Sequence, residues 1–168
     1  MSQLSLQARE WVTALNLRQH PEGGYFAEVY RADGCIPRNI LPGHQGDRPF
    51  MTSIYFMLPS GTVSRFHRLK SDEVWYHHAG GSLTIHQLDV EGNYLTLRLG
   101  AALARGECLQ AVVRAGTWFG ATADTDEAAL VGCAVAPGFD FADFELADRQ
   151  NMLADFSQHH EIIRRLSA

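Results

Sequence analysis

The sequence predicts an all-β domain of the sandwich or barrel class, flanked by short helices at both ends. Between residues 50 and 143, short runs rich in β-branched and aromatic residues alternate with turns that contain glycine, proline or asparagine. These runs cover 50–58, 63–69, 73–78, 82–89, 94–99, 108–113, 117–122 and 128–136. Many short strands at such spacing are typical of antiparallel sandwiches and barrels, and they are the main reason for this prediction.

Helical periodicity at the two ends is the second reason. Apolar residues from Leu4 to Leu15 recur at the spacing of one helix face. His20-Pro21 should end this helix, because the residue before a proline avoids the helical region. Two shorter runs near the C-terminus have similar spacing. The expected organisation is one domain over residues 1–168, with an N-terminal helix at about 4–17, a barrel at about 24–143 and C-terminal helices at about 148–166.

The region between the first helix and the main run of strands is rich in glycine and proline. Gly23-Gly24 precede a strand-like run at 25–31, and residues 33–49 hold six glycines or prolines. Such a density predicts a long loop, and long loops in small domains are usually functional or mobile. The segment at 20–25 is either a pocket lid or a plain turn, since glycine permits positive φ.

Composition limits the class of protein. The 168 residues are 46% hydrophobic and 20% charged, with a formal net charge of −5. These values exclude a disordered chain, a collagen and a coiled coil. The acidic balance argues against nucleic acid or an anionic membrane as the main partner. No run reaches the roughly 18 consecutive apolar residues of a membrane-spanning helix.

The cysteines indicate a reducing environment. Cys35, Cys108 and Cys133 are too few and too scattered for a disulfide framework or a cysteine metal knuckle. The opening residues lack the basic start and apolar block of a secretory signal. Reduced thiols and a cytoplasmic location are therefore expected.

The clearest motif is the stretch GTVSRFHRLKSDEVWYHHAG. It resembles the first cupin motif, which is a glycine, five residues, His-x-His, three or four residues, a glutamate, six residues and a second glycine. The matching positions are Gly61, His67, Glu73 and Gly80. Leu69 stands where the second histidine of that motif belongs.

The resemblance extends over most of the chain. The segment RAGTWF resembles the second cupin motif, with Arg114 in place of its proline and Phe119 in place of its histidine. Three segments, one of them within the first motif, are similar to the cupin-5 family, once classed as a domain of unknown function: HPEGGYFAEVYR, SRFHRLKSDEVWYHHAG and PGFDFADFELADR. This likeness, from about residue 8 to 166, implies a cupin double-stranded β-helix, a jelly-roll barrel with a buried pocket, usually as a homodimer. It implies no settled reaction.

The metal ligands of the cupin motif are mostly replaced. A cupin metal site normally takes three histidines and a glutamate, whereas only His67 and Glu73 remain here. Leu69 and Phe119 cannot ligate a metal. Two ligands are one fewer than the three of a catalytic zinc site or of the two-histidine-one-carboxylate iron triad.

Other histidines do not easily complete that set. Four strand residues separate Glu73 from His77, a distance of roughly 13 Å. His86 should face outward with Thr84, because Leu83 and Ile85 occupy the opposite face of its strand. His20 remains a possible recruit. We therefore expect no metal or other cofactor, with a divalent ion at His67 and Glu73 as the alternative.

Without a metal, His67 and Glu73 are candidates for acid–base catalysis. Histidine titrates near neutral pH, and an apolar barrel raises the pKa of a carboxyl group into the same range. The expected roles are proton carrier for His67 and orientation or proton sharing for Glu73. The structural alternative is a hydrogen-bonded histidine and a glutamate paired with Arg65 or Arg31.

Aromatic and cationic residues near the motifs are candidates for substrate binding. They are Tyr25, Arg31, Tyr55, Arg65, Trp75, His77, Trp118 and Phe119. An arginine suits an anionic group because its fork grips carboxylate or phosphate through two hydrogen bonds. Strand alternation places Tyr25 and Arg31 on one face and Glu28 on the other. The alternative for Trp75 and Trp118 is plain core filling.

Three functions remain open from the sequence. The first is a metal-independent isomerase or epimerase of a sugar- or keto-acid-like substrate. The second is a non-catalytic ligand-binding or sensing module, and the third is a metal-dependent cupin enzyme with a reduced ligand set. All three expect a small-molecule ligand in the barrel. The strand at 25–31 has an edge that a second copy can pair with, in agreement with the homodimer that the resemblance implies.

Overall fold

Two antiparallel β-sheets, packed face to face, form the body of the protein. The computed structural model describes residues 4–167, so the outermost residues of the expected 1–168 domain lie outside the described part. The strands are β1 Arg18–Gln19, β2 Tyr25–Arg31, β3 Cys35–Ile36, β4 Arg48–Pro49, β5 Thr52–Leu58, β6 Val63–Arg68, β7 Asp72–Gly80, β8 Leu83–Leu88, β9 Tyr94–Leu99, β10 Gln110–Val113, β11 Trp118–Ala123, β12 Ala129–Ala136 and β13 Glu145–Leu146. All eight runs that the sequence predicts between residues 50 and 136 are strands.

The strand order identifies the sheets as the two halves of a jelly roll. One sheet has six strands in the order β1-β2-β5-β12-β7-β10, and the other has five in the order β13-β6-β11-β8-β9. Strands distant in sequence are therefore neighbours, for example β5 and β12. This arrangement confirms the predicted all-β jelly-roll barrel.

Three helices flank the sheets: α1 Leu6–Ala14, α2 Arg149–Asp155 and α3 His160–Leu166. The first is shorter than the expected 4–17 and ends well before His20-Pro21. Asn16 adopts a positive φ of 52°, which stops the helix, and the following Arg18–Gln19 pair with β2. No helix among residues 4–167 is long and apolar enough to cross a membrane.

The segment at 33–49 is more ordered than the predicted loop. It contains a two-stranded ribbon of β3 and β4, with a short 3₁₀ turn at Arg38–Ile40 between them. Arg48 anchors the ribbon: its guanidinium donates to both carboxylate oxygens of Asp143, at 2.6 and 2.9 Å. Both partners are buried, and such a bidentate pair fixes orientation as well as distance.

The core lies between the two sheets, and the helices cover their outer faces. The inner cluster includes Phe56, Trp75, Ile85 and Phe119. Helix α1 packs on the outer face of the six-stranded sheet, whereas α2 and α3 pack on the outer face of the other. This arrangement leaves one part of the barrel interior free for a cavity.

Candidate functional site

A cavity of about 340 Å³ opens into the barrel from the side of β2. Its volume is within the usual range of small-molecule sites. Its walls are mostly apolar and aromatic, with a few ionisable groups. The ionisable side chains in the lining are Arg18, His20, Glu22, Glu28, Arg31, His67, Glu73, Cys133 and Asp140. The aromatic lining comes from Phe26, Phe56, Trp75, Phe139, Phe141 and Phe144.

A β-bulge in β6 brings two polar side chains to the same site. His67 pairs with Phe119, but the next pair along the ladder is Ser64 with Ala121, so β6 contains one extra residue. Regular alternation would place Ser64 and His67 on opposite faces, whereas the bulge lets both reach the cavity side. Gly120 lies against this bulge, and a Cβ there would be 2.6 Å from the carbonyl oxygen of Ser64.

The turn between β1 and β2 delivers Glu22 to the site. Gly23 has a φ of +115°, and a Cβ on it would collide with the carbonyl oxygen of Val63. Arg65 makes two contacts with the turn. Its backbone N–H donates to the carbonyl of Glu22 at 2.8 Å, and the Arg65 guanidinium donates to the carbonyl of Pro21. The turn is therefore fastened to β6, and Arg65 holds it in place.

Glu22 is the centre of a buried polar cluster. One carboxylate oxygen lies 3.1 Å from Nε2 of His67 and 3.3 Å from Nδ1 of His20. The other accepts a hydrogen bond of 2.7 Å from the Ser64 hydroxyl. Burial opposes ionisation, but His67, His20 and Ser64 together hold the pKa of Glu22 below its ordinary value. These contacts favour the ionised form of Glu22.

His67 shares a proton with Glu22. Its Nδ1 lies 2.7 Å from the carbonyl oxygen of Arg65, and its Nε2 faces the Glu22 carboxylate. Both partners are acceptors, whereas a neutral imidazole carries one N–H. Either the imidazole holds two protons or Glu22 holds one. Burial lowers the pKa of His67 and the Glu22 carboxylate acts in the opposite direction, so the pair can pass one proton between them.

The pKa of Glu73 is shifted in the opposite direction to that of Glu22. Burial, followed by repulsion from Glu22, raises the pKa of Glu73 to about 8. Neighbouring Trp75 and Cys133 moderate this rise, yet Oε2 of Glu73 and Nε1 of Trp75 have no hydrogen-bond partner among residues 4–167. Both residues line the cavity. A protonated carboxyl and an indole N–H are therefore available to a ligand.

Four of the ten residues predicted from sequence line the cavity: His67, Glu73, Trp75 and Arg31. Arg31 is joined by Glu28, contrary to the predicted alternation. Glu28 pairs with Ile54 and Tyr30 with Ser53, so Val29 is an extra residue that shifts the face of everything after it.

Three aromatic candidates lie on the outer faces of their strands and not in the cavity lining. Tyr25 and Tyr55 pack in the cluster beneath α1. Trp118 lies beneath the C-terminal helices, with the guanidinium of Arg68 4.4 Å from its ring. Each is one residue away from an inward neighbour on its strand, so alternation sends it outward.

The other three candidates have supporting or separate positions. Phe119 is buried under His67, with ring centroids 4.1 Å apart, and Arg65 fastens the turn that carries Glu22. Nε2 of His77 lies 3.2 Å from the carbonyl oxygen of Gly81, and His77 is not part of the cavity lining. None of the three belongs to the cavity lining, and their direct contact with a ligand stays a prediction.

Sequence reasoning missed Glu22 and Arg18. The two glycines of the segment HPEGGY permit the turn, as the sequence predicts. However, its glutamate reaches the barrel interior only because the turn folds back onto β6, a contact between residues 42 positions apart. The nearest signal in the sequence was that a polar residue stands directly before two turn-forming glycines.

The matched family agrees with this architecture. A family described as "Cupin superfamily (DUF985)" matches residues 9–147. The chain belongs to this family. A protein from Shewanella oneidensis is 41% identical and covers 99% of both chains, with a TM-score of 0.87. A hypothetical protein from Leishmania major is 33% identical over 95% of this cupin and 98% of its own chain, also with a TM-score of 0.87.

More distant cupins share the fold alone. A variant of Bacillus subtilis oxalate decarboxylase is 19% identical, with a TM-score of 0.55. The match covers 88% of this cupin and 36% of that enzyme. None of the curated proteins compared with this cupin matches it.

The donor set of this cupin does not fit the metal centre of its superfamily. Leu69 and Phe119 occupy two ligand positions, and His67 already faces Glu22 and the Arg65 carbonyl through its two nitrogens. Among residues 4–167, no three His, Cys, Asp or Glu side chains are grouped in a way that could hold a metal ion. The expectation that no metal is required stays a prediction.

Proposed function

We propose that this cupin is a metal-independent proton-transfer enzyme that isomerises or epimerises a small sugar- or keto-acid-like substrate in its barrel. One observation carries the proposal: two buried carboxyl groups line the same cavity in different surroundings. Glu22 lies against His67 and the Ser64 hydroxyl, whereas Oε2 of Glu73 has no hydrogen-bond partner among residues 4–167, and their pKa values shift in opposite directions accordingly. Such a pair supplies a base and an acid at the same pH. Both carboxyl groups are buried, so solvent does not remove the difference between their pKa values.

The reaction begins with a carbonyl oxygen of the substrate against the protonated Glu73. Glu22 removes the proton from the adjacent carbon: the C–H bond breaks, an O–H bond forms on Glu22, and the electron pair moves to the carbonyl oxygen. Glu73 donates its proton to that oxygen, which gives an enediol. For isomerisation, Glu22 returns its proton to the former carbonyl carbon while the Glu73 carboxylate takes the proton of the other enediol hydroxyl, so a carbonyl forms at the original carbon. For epimerisation, the enediol turns over in the cavity before Glu22 returns the proton to the opposite face of the original carbon, and Glu73 recovers its own proton as the first carbonyl re-forms.

His67 supports Glu22 from behind. When His67 holds the shared proton as an imidazolium, its Nε2–H donates to Glu22 at 3.1 Å and its Nδ1–H donates to the Arg65 carbonyl, so Glu22 stays ionised and oriented as the base. This assignment moves the primary base from His67, as the sequence predicted, to Glu22. Positioned acid–base groups of this kind contribute about 10²–10⁴-fold to rate.

The aromatic walls suit a short-lived enediol. Phe26, Phe56 and Phe144 line the cavity together with Trp75. Apolar walls exclude water and strengthen electrostatic interactions between the substrate and the two carboxyl groups. The free N–H of Trp75 adds a donor that can fix the orientation of the substrate.

A non-catalytic ligand-binding module is the second candidate. It is favoured by the completeness of the Glu22 cluster, in which His67, His20 and Ser64 already satisfy the carboxylate. In that case Glu73 and Trp75 would hold a ligand and nothing would be transferred. The two candidates differ in a single observable, the exchange of carbon-bound hydrogen.

The test is hydrogen exchange in D₂O with a panel of aldoses, ketoses and 2-oxo acids, followed by NMR and mass spectrometry. We expect deuterium to enter a carbon next to a carbonyl in at least one substrate. Glu22→Gln and Glu73→Gln should each slow that exchange by about 10²–10⁴-fold. Glu10→Gln, on the exposed side of α1, is the matched control and should exchange at the normal rate. Saturable binding without exchange would favour the binding module instead.

A further inference from the structure

Four charged side chains surround the outer part of the cavity: Arg18, Glu28, Arg31 and Asp140. Three of them are already engaged. Arg31 donates to both oxygens of Glu28, at 3.0 and 2.6 Å. The Asp140 carboxylate accepts from the backbone N–H of Ala142 at 2.8 Å.

Arg18 is the exception. Arg18 is exposed, and none of the ion pairs among residues 4–167 includes its guanidinium. Its guanidinium carbon lies 4.8 Å from the ring centroid of Phe26, its partner in the ladder between β1 and β2. Stacking on an aromatic face leaves the edge N–H groups of an arginine free.

Arg18 is connected to the reactive end of the cavity through aromatic contacts. The ring of His20 packs edge-on against the same Phe26, with centroids 4.6 Å apart, and His20 contacts Glu22. A ligand that lies along Phe26 therefore has the cation at its outer end and the carboxyl pair at its inner end. At the inner end, Glu73 and Trp75 have polar atoms without partners among residues 4–167.

We propose that Arg18 binds the carboxylate of the substrate, so that the substrate class is a short hydroxy- or oxo-carboxylic acid whose carbonyl end reaches Glu73. The assignment rests on the proposed function for the inner end of the site. A planar guanidinium matches a carboxylate through two parallel hydrogen bonds. A phosphate carries more charge than one arginine balances, and Arg31 is held by Glu28. Specificity for the acid over its neutral counterpart then lies at Arg18.

The test compares acids with their own amides. NMR titration of the full chain with D-glucuronate against D-glucuronamide, and 2-oxobutanoate against 2-oxobutanamide, measures the preference directly. A charge-assisted bidentate contact should favour one of the acids by about tenfold or more. Arg18→Gln should remove this preference and Arg18→Lys should keep part of it. Arg9→Gln, an exposed arginine of α1, should leave the preference unchanged.

Three results overturn the proposal: equal affinity for acid and amide, no binding of either acid at millimolar concentration, or a preference that survives Arg18→Gln. The proposed function fails separately. Deuterium exchange on neutral sugars with no acid preference would keep proton transfer and remove Arg18 as its anchor. Acid-selective binding that depends on Arg18, without any exchange, would keep the anchor and remove proton transfer.

Discussion

Two buried histidines on the same five-stranded sheet provide a natural comparison. His67 on β6 is on the inner face beside the cavity, whereas His86 on β8 is on the outer face beneath the C-terminal helices. They are 3% and 7% exposed, so burial does not distinguish them. Their partners do: His86 contacts the hydroxyl of Tyr94 at 2.6 Å and that of Thr122 at 3.0 Å.

Hydroxyl groups and carboxylates require different protonation states of a neighbouring imidazole. A hydroxyl donates or accepts, so two hydroxyls satisfy a neutral His86 in either tautomer. Burial, with repulsion from Arg165 next, lowers the pKa of His86 to about 4, which keeps it neutral. His67 faces two acceptors and must share a proton with Glu22. A buried histidine is thus a functional candidate because of its partners and its access to a cavity.

The largest expected effect separates the two histidines by activity. With a substrate identified by deuterium exchange, His67→Gln should lower turnover by about 10²–10⁴-fold, because Glu22 loses the imidazolium that keeps it ionised and oriented. His86→Gln should leave kcat within the range of the unmodified chain, since its side chain contacts no part of the cavity lining. Measured kcat values for both variants check this. Equal losses in the two variants would contradict the comparison.

The next effect concerns the bulge that turns Ser64 and His67 to the same site. Gly120→Ala would place a methyl group 2.6 Å from the Ser64 carbonyl oxygen and 3.1 Å from the Phe66 nitrogen, so backbone must move. We expect a loss of about 2–3 kcal/mol in the free energy of unfolding, together with loss of activity. Urea unfolding, monitored by tryptophan fluorescence, measures the free energy of unfolding.

Gly106→Ala is the matched control for that substitution. Gly106 has a positive φ of 78° but no atom near its Cβ position. Gly106→Ala should lower the free energy of unfolding by about 1–2 kcal/mol, the strain of an alanine at positive φ, and leave activity intact. If Gly120→Ala proved as mild as this control and kept full activity, the bulge would not be needed to place His67.

The sequence predicted what depends on local pattern and motif spacing. The strands follow from β-branched runs between turns, and His67 and Glu73 follow from the cupin motif. Glu22 could not be predicted, because a turn folds back onto β6 to place it. The expectation that Tyr55 and Trp118 face the barrel interior is wrong. Which alternate residues of a strand face inward depends on how the strand pairs with its neighbours, and the sequence does not reveal that pairing. Bulges at Val29 and in β6 shift parity in the same way.

A third prediction uses pH to compare the inner and outer faces. Folding raises the pKa of Glu73 from 4.5 to about 8, so the folded chain holds a proton that the unfolded chain releases. Its contribution to stability is therefore complete below pH 4.5 and is lost as the pH rises towards 8. The maximal slope is about 1.4 kcal/mol per pH unit. Glu73→Gln should remove this slope in urea unfolding, whereas Glu10→Gln should retain it.

His86 should produce the opposite dependence. Its pKa falls from 6.5 to about 4 on folding, so its contribution is complete above pH 6.5 and is lost as the pH falls towards 4. Between pH 4.5 and 6.5 the slopes of Glu73 and His86 oppose each other, so His86→Gln should make stability fall with rising pH in this window and leave the profile between pH 6.5 and 8 unchanged. A flat profile between pH 6.5 and 8 in the unmodified chain would show that Glu73 is not held protonated, which would weaken the acid–base pair.

The smallest expected effect tests whether His86 is only structural. Thr122→Val keeps the shape of the side chain but removes the hydroxyl that lies 3.0 Å from Nε2 of His86. One buried nitrogen then has no partner, which should cost about 1–3 kcal/mol in unfolding free energy. Because Tyr94 still satisfies the other nitrogen, the loss should fall at the lower end, and kcat should not change. A fall in kcat without a fall in stability would link the outer face to the cavity, and His86 would then have to be counted with His67.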